Sequence, residues 1–155
     1  MPNPTAAMIV IGDEILSGRT RDSNMHHLAR QLTSVGIDLK EVRVVGDEHG
    51  TIIAAVQQLA KVYDSVFTSG GIGPTHDDIT ADCIAAAFNK YIDVRDDARA
   101  ILAEHYAKSG TELNEARLRM ARIPDDATLI DNPVSAAPGF KLENVHVMAG
   151  VPAVF

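Results

Sequence analysis

Two carboxylates beside a run of glycines are the residues most suited to chemistry. They fall in Asp64 to Thr80, DSVFTSGGIGPTHDDIT. Ser65 to Thr68 reads as a short buried strand, and Thr80 opens a helix carrying Cys83, Ile84, Ala87 and Phe88. Between them, Ser69, Gly70, Gly71 and Gly73 form a loop whose backbone can approach a ligand closely, since glycine has no Cβ and tolerates positive φ. A strand, a glycine loop and a helix N-terminus in succession favour an anion. Asp77 and Asp78 would repel a phosphate unless a divalent cation lies between, and Mg²⁺ binds through one or two carboxylates plus substrate phosphates. The plainer alternatives are that one Asp only caps the helix and that the glycines make an ordinary tight turn.

Familiar phosphate motifs do not fit. GxxxxGK[ST] is absent, and Gly71-x-Gly73 is followed by His76 where a dinucleotide fingerprint needs its third glycine. The six histidines and single cysteine show no zinc-ligand spacing.

The elements that must position this stretch follow from apolar patterning. Ala6 to Ile11 is a near-continuous apolar run, as in strands covered on both faces, and it leads directly into Gly12, Asp13 and Glu14. A helix follows with Met25, Leu28, Leu32 and Val35 at helical spacing, ended by Gly36. Ile37 to Val45 reads as a half-buried strand ending in Gly46 and Asp47. A second amphipathic helix then carries Ile52, Ile53, Val56, Leu59 and Ala60. This alternation predicts a doubly covered, mainly parallel sheet. Its strands end in acidic or glycine-rich loops on one edge, where open α/β sheets bind ligands. In the second half the pattern predicts a helix over 96–108 and another over 114–122 carrying Arg117, Arg119 and Arg122. It also predicts a strand over 128–130, loops over 131–134 and 136–139, and a hairpin of 140–142 and 145–148 around Glu143 and Asn144.

At 155 residues the chain reads as one domain. Its net charge of −7 argues against generic nucleic-acid or anionic-membrane binding. Aromatics are few and tryptophan is absent, so stacking platforms for single strands are poorly supplied. Cys83 reads as a core residue in a reducing compartment, and the N-terminal apolar run is too short for a signal peptide or membrane span, so the cytoplasm is expected. The apolar ending Val151 to Phe155 reads as a C-terminal truncation.

The eleven residues GGIGPTHDDIT closely resemble the signature of the molybdopterin-binding (MoaB/Mog-like) domain family. Their Pro-Thr-His-Asp-Asp form resembles the branch found in CinA (competence/damage-inducible protein A) and in some eukaryotic FAD synthases. The likeness extends to Gly12-Asp13-Glu14-Ile15-Leu16-x-Gly18 with Asp22-Ser23-Asn24, and to Val45-Gly46-Asp47. It continues through Asn132-Pro133-Val134, Ala137-Pro138-Gly139-Phe140 and Gly150-Val151-Pro152. One feature departs from the pattern: Met148-Ala149 stands where Leu-Pro is usual. The 155 residues do not reach the amidohydrolase domain of CinA, so the resemblance implies no deamidase activity.

The resemblance implies a three-layer α/β/α sandwich, mostly parallel, with one antiparallel edge strand. It also implies self-association. For function it implies attack on a phosphoanhydride. The first expectation is a divalent-metal-dependent (Mg²⁺, Mn²⁺ or Co²⁺) nucleotide pyrophosphatase of the ADP-ribose or FAD class. The alternatives are molybdopterin adenylylation or binding in molybdenum cofactor biosynthesis, and a nucleotide- or pterin-binding module without turnover. The residues expected to act are Asp78, Asp47 and Asp77, with Asp78, Asp47 and Glu14 on the metal. Ser69, Gly70, Gly71, Gly73 and Thr75 are expected on phosphate, and Gly12, Asp13, Glu14 and Asn24 against the rest of the ligand.

Overall fold

The computed structural model describes residues 2–130 and 138–148. Its most deeply buried strand is β1 (Thr5–Ile11), whose alternate side chains serve two layers. Ala7, Ile9 and Ile11 pack with Ile52, Val56, Leu59, Ile84 and Leu102, while Ala6, Met8 and Val10 pack with Leu28 and Leu32. Full burial of each such large side chain contributes about 1.5–3 kcal/mol. The first layer is built by α3 (His49–Val62), α4 (Thr80–Ala87) and α5 (Asp96–Ser109), the second by α2 (Asn24–Ser34). The short α1 (Asp13–Leu16) directly follows β1.

Around β1 the sheet runs β2 (Asp38–Val45), β1, β3 (Ser65–Ser69), β8 (Val145–Met148), β7 (Gly139–Leu142), β6 (Thr128–Ile130). The pairs β1–β2, β1–β3 and β3–β8 are parallel, while β7 is antiparallel to both neighbours. The sandwich is thus mostly parallel as expected, but its antiparallel strand stands one place inside the edge, with the short β6 outside it. The expected hairpin is present: β7 turns into β8 through Glu143, at φ 53°, and Asn144, whose amide donates to the carbonyls of Ala60 and Tyr63. Gly36 ends α2 as foreseen. At φ 79° it lets its own amide reach the Thr33 carbonyl, and that of Ile37 the Leu32 carbonyl, a Schellman closure.

The region over 114–122 differs from the single helix expected. A helical turn, α6 (Glu115–Leu118), gives way to a 3-10 turn over Arg119–Ala121, and Arg122 then enters β5 (Arg122–Pro124). That strand pairs antiparallel with β4 (Ile92–Val94), a partner too short to show a period. Pairing with β4 draws the chain out of helical geometry and sets the arginines of the turn beside the glycine loop. The predicted loop over 131–134, and 136–137 of the next one, lie outside the described residues. No helix among the described residues is long and apolar enough to cross a membrane. Cys83 is buried, and burial pushes its thiol up to about 12.

On the α2 side of the sheet, His146 stacks on Phe67 with ring centroids 4.6 Å apart. Burial, aided by the charge of Lys141, lowers the imidazole below its ordinary value. The unfolded chain therefore binds a proton more readily than the native one, and stability present above about pH 6.5 is lost as pH falls through the folded-state value. A His146→Phe variant should flatten that loss. Urea midpoints compared at pH 7 and pH 5 should show the wild type falling more; equal falls would remove His146 as the cause.

Candidate functional site

Strands β2, β1 and β3 are adjacent and parallel, so their carboxyl ends deliver three loops to one edge. From β1 come Gly12, Asp13 and Glu14; from β2, Gly46 and Asp47; from β3, Gly70 and Gly71. The first two loops hold each other. The Asp13 amide donates to Asp47 Oδ2 at 3.1 Å, and the Asp47 amide donates to Asp13 Oδ1 at 3.0 Å. Glycines make room for the carboxylates. A Cβ on Gly46 would stand 2.6 Å from Asp13 Oδ1, one on Gly73 2.8 Å from Asp78 Oδ2, and one on Gly12 against the Glu14 carboxylate.

The glycine loop is clasped from below. Thr80, fully buried at the start of α4, donates its hydroxyl to the Gly70 carbonyl at 2.9 Å and its amide to the Gly71 carbonyl at 3.0 Å. Gly70 and Gly71 take φ of 96° and 74°. A Cβ on the first would strike the Ile11 carbonyl, and one on the second the Thr80 hydroxyl. The helix opens at Thr80, as expected. An eight-residue turn (72–79) intervenes, and the first amide of α4 braces the loop.

Within that turn Asp78 does not cap α4. Its Oδ2 accepts from the amide and hydroxyl of Thr75, both at 2.9 Å, so it closes the 75–78 turn and occupies the Thr75 hydroxyl expected on phosphate. Ser69 is likewise engaged, its buried hydroxyl accepting from Asn24 Nδ2 at 2.9 Å. His76 and Asp77 are exposed, 3.5 Å apart.

Asp13, Glu14, Asp47, Asp77, Asp78, Thr75 and Gly71 line one open cavity of about 410 Å³, with Arg19 at its rim. Burial raises the Asp47 carboxyl above the usual range. The Asp13 amide opposes that shift, while the charges of Asp13, Glu14 and Asp78 add to it. A smaller cavity of about 80 Å³ lies on the α2 side of the loop, against Glu14, Asp22, Asn24, Ser69 and Gly70. Nearly all the expected site residues thus converge, and Gly73 joins them through Asp78. Among the described residues, however, no three His, Cys, Asp or Glu side chains form a ready-made metal cage.

Sequence reasoning assigned nothing to the far wall of the loop. There Arg122 Nη2 donates to Asp82 Oδ1 at 2.8 Å, and Arg119 leaves a buried Nε with no hydrogen-bond partner among the described residues. These residues, with Gly71, Gly73 and Asp78, line a narrow third cavity of about 20 Å³. The only sequence signal was three arginines within six residues of an acidic chain.

Residues 7–155 match the family described as "Probable molybdopterin binding domain". Among solved structures, the protein CinA from Thermoplasma acidophilum, described as of unknown function, is 35% identical with a TM-score of 0.87, covering 98% of this chain and 91% of that one. The tungsten cofactor synthesizing protein MoaB from Pyrococcus furiosus, 20% identical with a TM-score of 0.61 over 98% and 85% of the two chains, shares the fold. A CinA-like protein of Geobacter metallireducens is 38% identical over 136 residues, 88% of this chain and 33% of that protein. A "Probable FAD synthase" of Caenorhabditis elegans is 38% identical over 167 residues, 96% of this chain and 32% of that protein. The chain spans from 32% to 62% of the length of the curated relatives it matches. With its glycine loop, its acidic strand ends and its sheet order all accounted for, the chain belongs to the molybdopterin-binding (MoaB/Mog-like) domain family, in its CinA-type branch.

Proposed function

We propose that this domain hydrolyses the phosphoanhydride of a nucleotide of the ADP-ribose or FAD class, with the help of a divalent cation. One observation supports the reading above others: Asp13, Glu14, Asp47 and Asp78 crowd one cavity floored by Gly71, and Asp47 is held above its ordinary carboxylate range there. Crowded acids against a glycine loop suit a diphosphate only when a cation lies between them.

The donor set fits such an ion. Among the described residues no three His, Cys, Asp or Glu side chains form a cage, and Mg²⁺ or Mn²⁺ held by one or two carboxylates, water and ligand phosphate needs none. Asp78, Asp47 and Glu14 are the residues that would hold it. When bound, it would neutralise phosphate charge and lower the pKa of a coordinated water. The chain's own groups would do the rest. Gly71 and Gly73 let the backbone approach the phosphates. Asp77, exposed on the same cavity and beside His76, would take a proton from an attacking water. That water adds to phosphorus as the bridging P–O bond breaks, leaving AMP and the second phosphate ester. Thr75 fixes Asp78, and Asp13 fixes Asp47, so neither acid must be ordered on binding.

A second reading, molybdopterin adenylylation or binding, is supported by the family description and by the separate small cavity beside Asn24. Cofactor formation in a molybdopterin-deficient extract separates it from hydrolysis. A homo-oligomer in the cytoplasm completes the proposal.

Incubation with ADP-ribose, FAD or ATP and Mg²⁺, Mn²⁺ or Co²⁺ should release AMP from the first two. Asp78→Ala and Asp78→Asn should lower kcat/KM on the order of 10²-fold or more. Absence of AMP from every substrate and metal would sink the hydrolase reading. In EDTA, Asp47→Asn should melt higher than wild type at pH 7, because it removes a carboxylate whose folded-state pKa is raised. Such a group's stabilisation is present below the unfolded pKa and lost as pH rises through the folded one. The gap should therefore close toward pH 4, and a variant melting at or below wild type at pH 7 would show that the acids do not repel.

A further inference from the structure

The three arginines of the 114–122 region are not equivalent. Arg117 donates to the Glu112 carbonyl and lies over the Tyr106 ring at 5.4 Å. Arg122 is paired with Asp82 at 2.8 Å. Arg119 lines the same cavity as Arg122, yet its Nε is buried with no hydrogen-bond partner among the described residues. A buried donor is ordinarily satisfied, and a native exception asks for an explanation. Asp82, an acidic residue lining the same cavity, already holds Arg122.

The surroundings of Arg119 point to a ligand atom. It lines the narrow cavity whose other walls include Gly71, Gly73 and Asp78. Gly71 and Asp78 also line the acidic cavity, so one strip of backbone separates a nest of carboxylates from an unpaired guanidinium. At about 20 Å³ the space takes one small polar group, on the scale of a single water or phosphoryl oxygen, and not a base or sugar. Guanidinium matches phosphate oxygens with charge-assisted hydrogen bonds. A diphosphate lying over the loop would have one phosphoryl group among the acids and the other toward this cationic wall.

We propose that Arg119 is an anion-binding residue that receives the second phosphoryl group of the ligand, across Gly71 and Asp78 from the carboxylates. The inference rests on the phosphoanhydride reading for its ligand, but its test needs no turnover. Binding of inorganic pyrophosphate and orthophosphate would be measured by calorimetry in the presence of Mg²⁺ at low ionic strength. The proteins compared would be wild type, Arg119→Gln, Arg119→Lys and the control Arg117→Gln. Pyrophosphate should bind wild type and Arg117→Gln alike, about 10-fold or more weaker to Arg119→Gln, and in between to Arg119→Lys. Melting temperatures of the Arg119 variants should match wild type, whereas a merely structural role would lower them and leave affinity in place. In wild type, pyrophosphate should also shift the one arginine Nε–H resonance that Arg119→Lys lacks, a readout that survives even if Arg119→Gln fails to fold.

No pyrophosphate binding by wild type, equal binding by Arg119→Gln, or an unmoved Nε–H resonance would overturn the assignment. Arg119-dependent binding without AMP release from any nucleotide would leave Arg119 standing and remove the hydrolase reading. AMP release with an unchanged KM in Arg119→Gln would do the reverse.

Discussion

Thr80 is the interaction on which the rest of the site depends. One buried residue grips two successive glycine carbonyls, through its hydroxyl and its amide, and so fixes α4 to the end of β3. The grip requires two residues without side chains, because Gly70 lies against the Ile11 carbonyl and Gly71 against the Thr80 hydroxyl itself. The glycine loop and α4 are thereby held together, and the loop is packed against the end of β1. Two of the cavities share Gly71 as a wall, and the third touches Gly70, so all three take their position from this clasp.

The electrostatics of that unit are arranged against stability. Carboxylates from three separate loops face one space, and the charges of Asp13, Glu14 and Asp78 each make ionisation of Asp47 less favourable. Arg119, on the opposite wall, is left with an unsatisfied donor. A chain selected for stability alone would have neutralised both features. Their persistence on the two sides of one glycine loop is what a charged ligand of alternating character would relieve, and such local strain is characteristic of functional sites.

Much of this was legible in the residues, for local reasons. The apolar run of β1 announced a strand covered on both faces, Gly36 announced the end of α2, and Glu143-Asn144 announced the β7–β8 hairpin. The family signature marked the loop and its acids. What escaped depends on contacts between distant parts of the chain. Strand β4 is three residues long and becomes a strand only by pairing with β5. The same pairing stops the helix expected over 114–122 at Leu118. Thr80 was readable as a helix start but not as a clasp, and Asp78 as a cap or ligand but not as the closure of its own turn. That Arg119 Nε has no partner among the described residues is visible only once its neighbours in the fold have been placed.

The crossed amide bonds of Asp13 and Asp47 carry a consequence for how the sheet and its site communicate. Each acid is oriented by the backbone of the residue that bears the other, across the seam between β1 and β2. Any cation that attracts one of these oxygens therefore competes with a peptide group on the neighbouring strand. Site affinity and cohesion of the sheet's outer seam are two readings of one quantity. An alteration far out on β2, distant from any ligand, would be felt at the site through that latch.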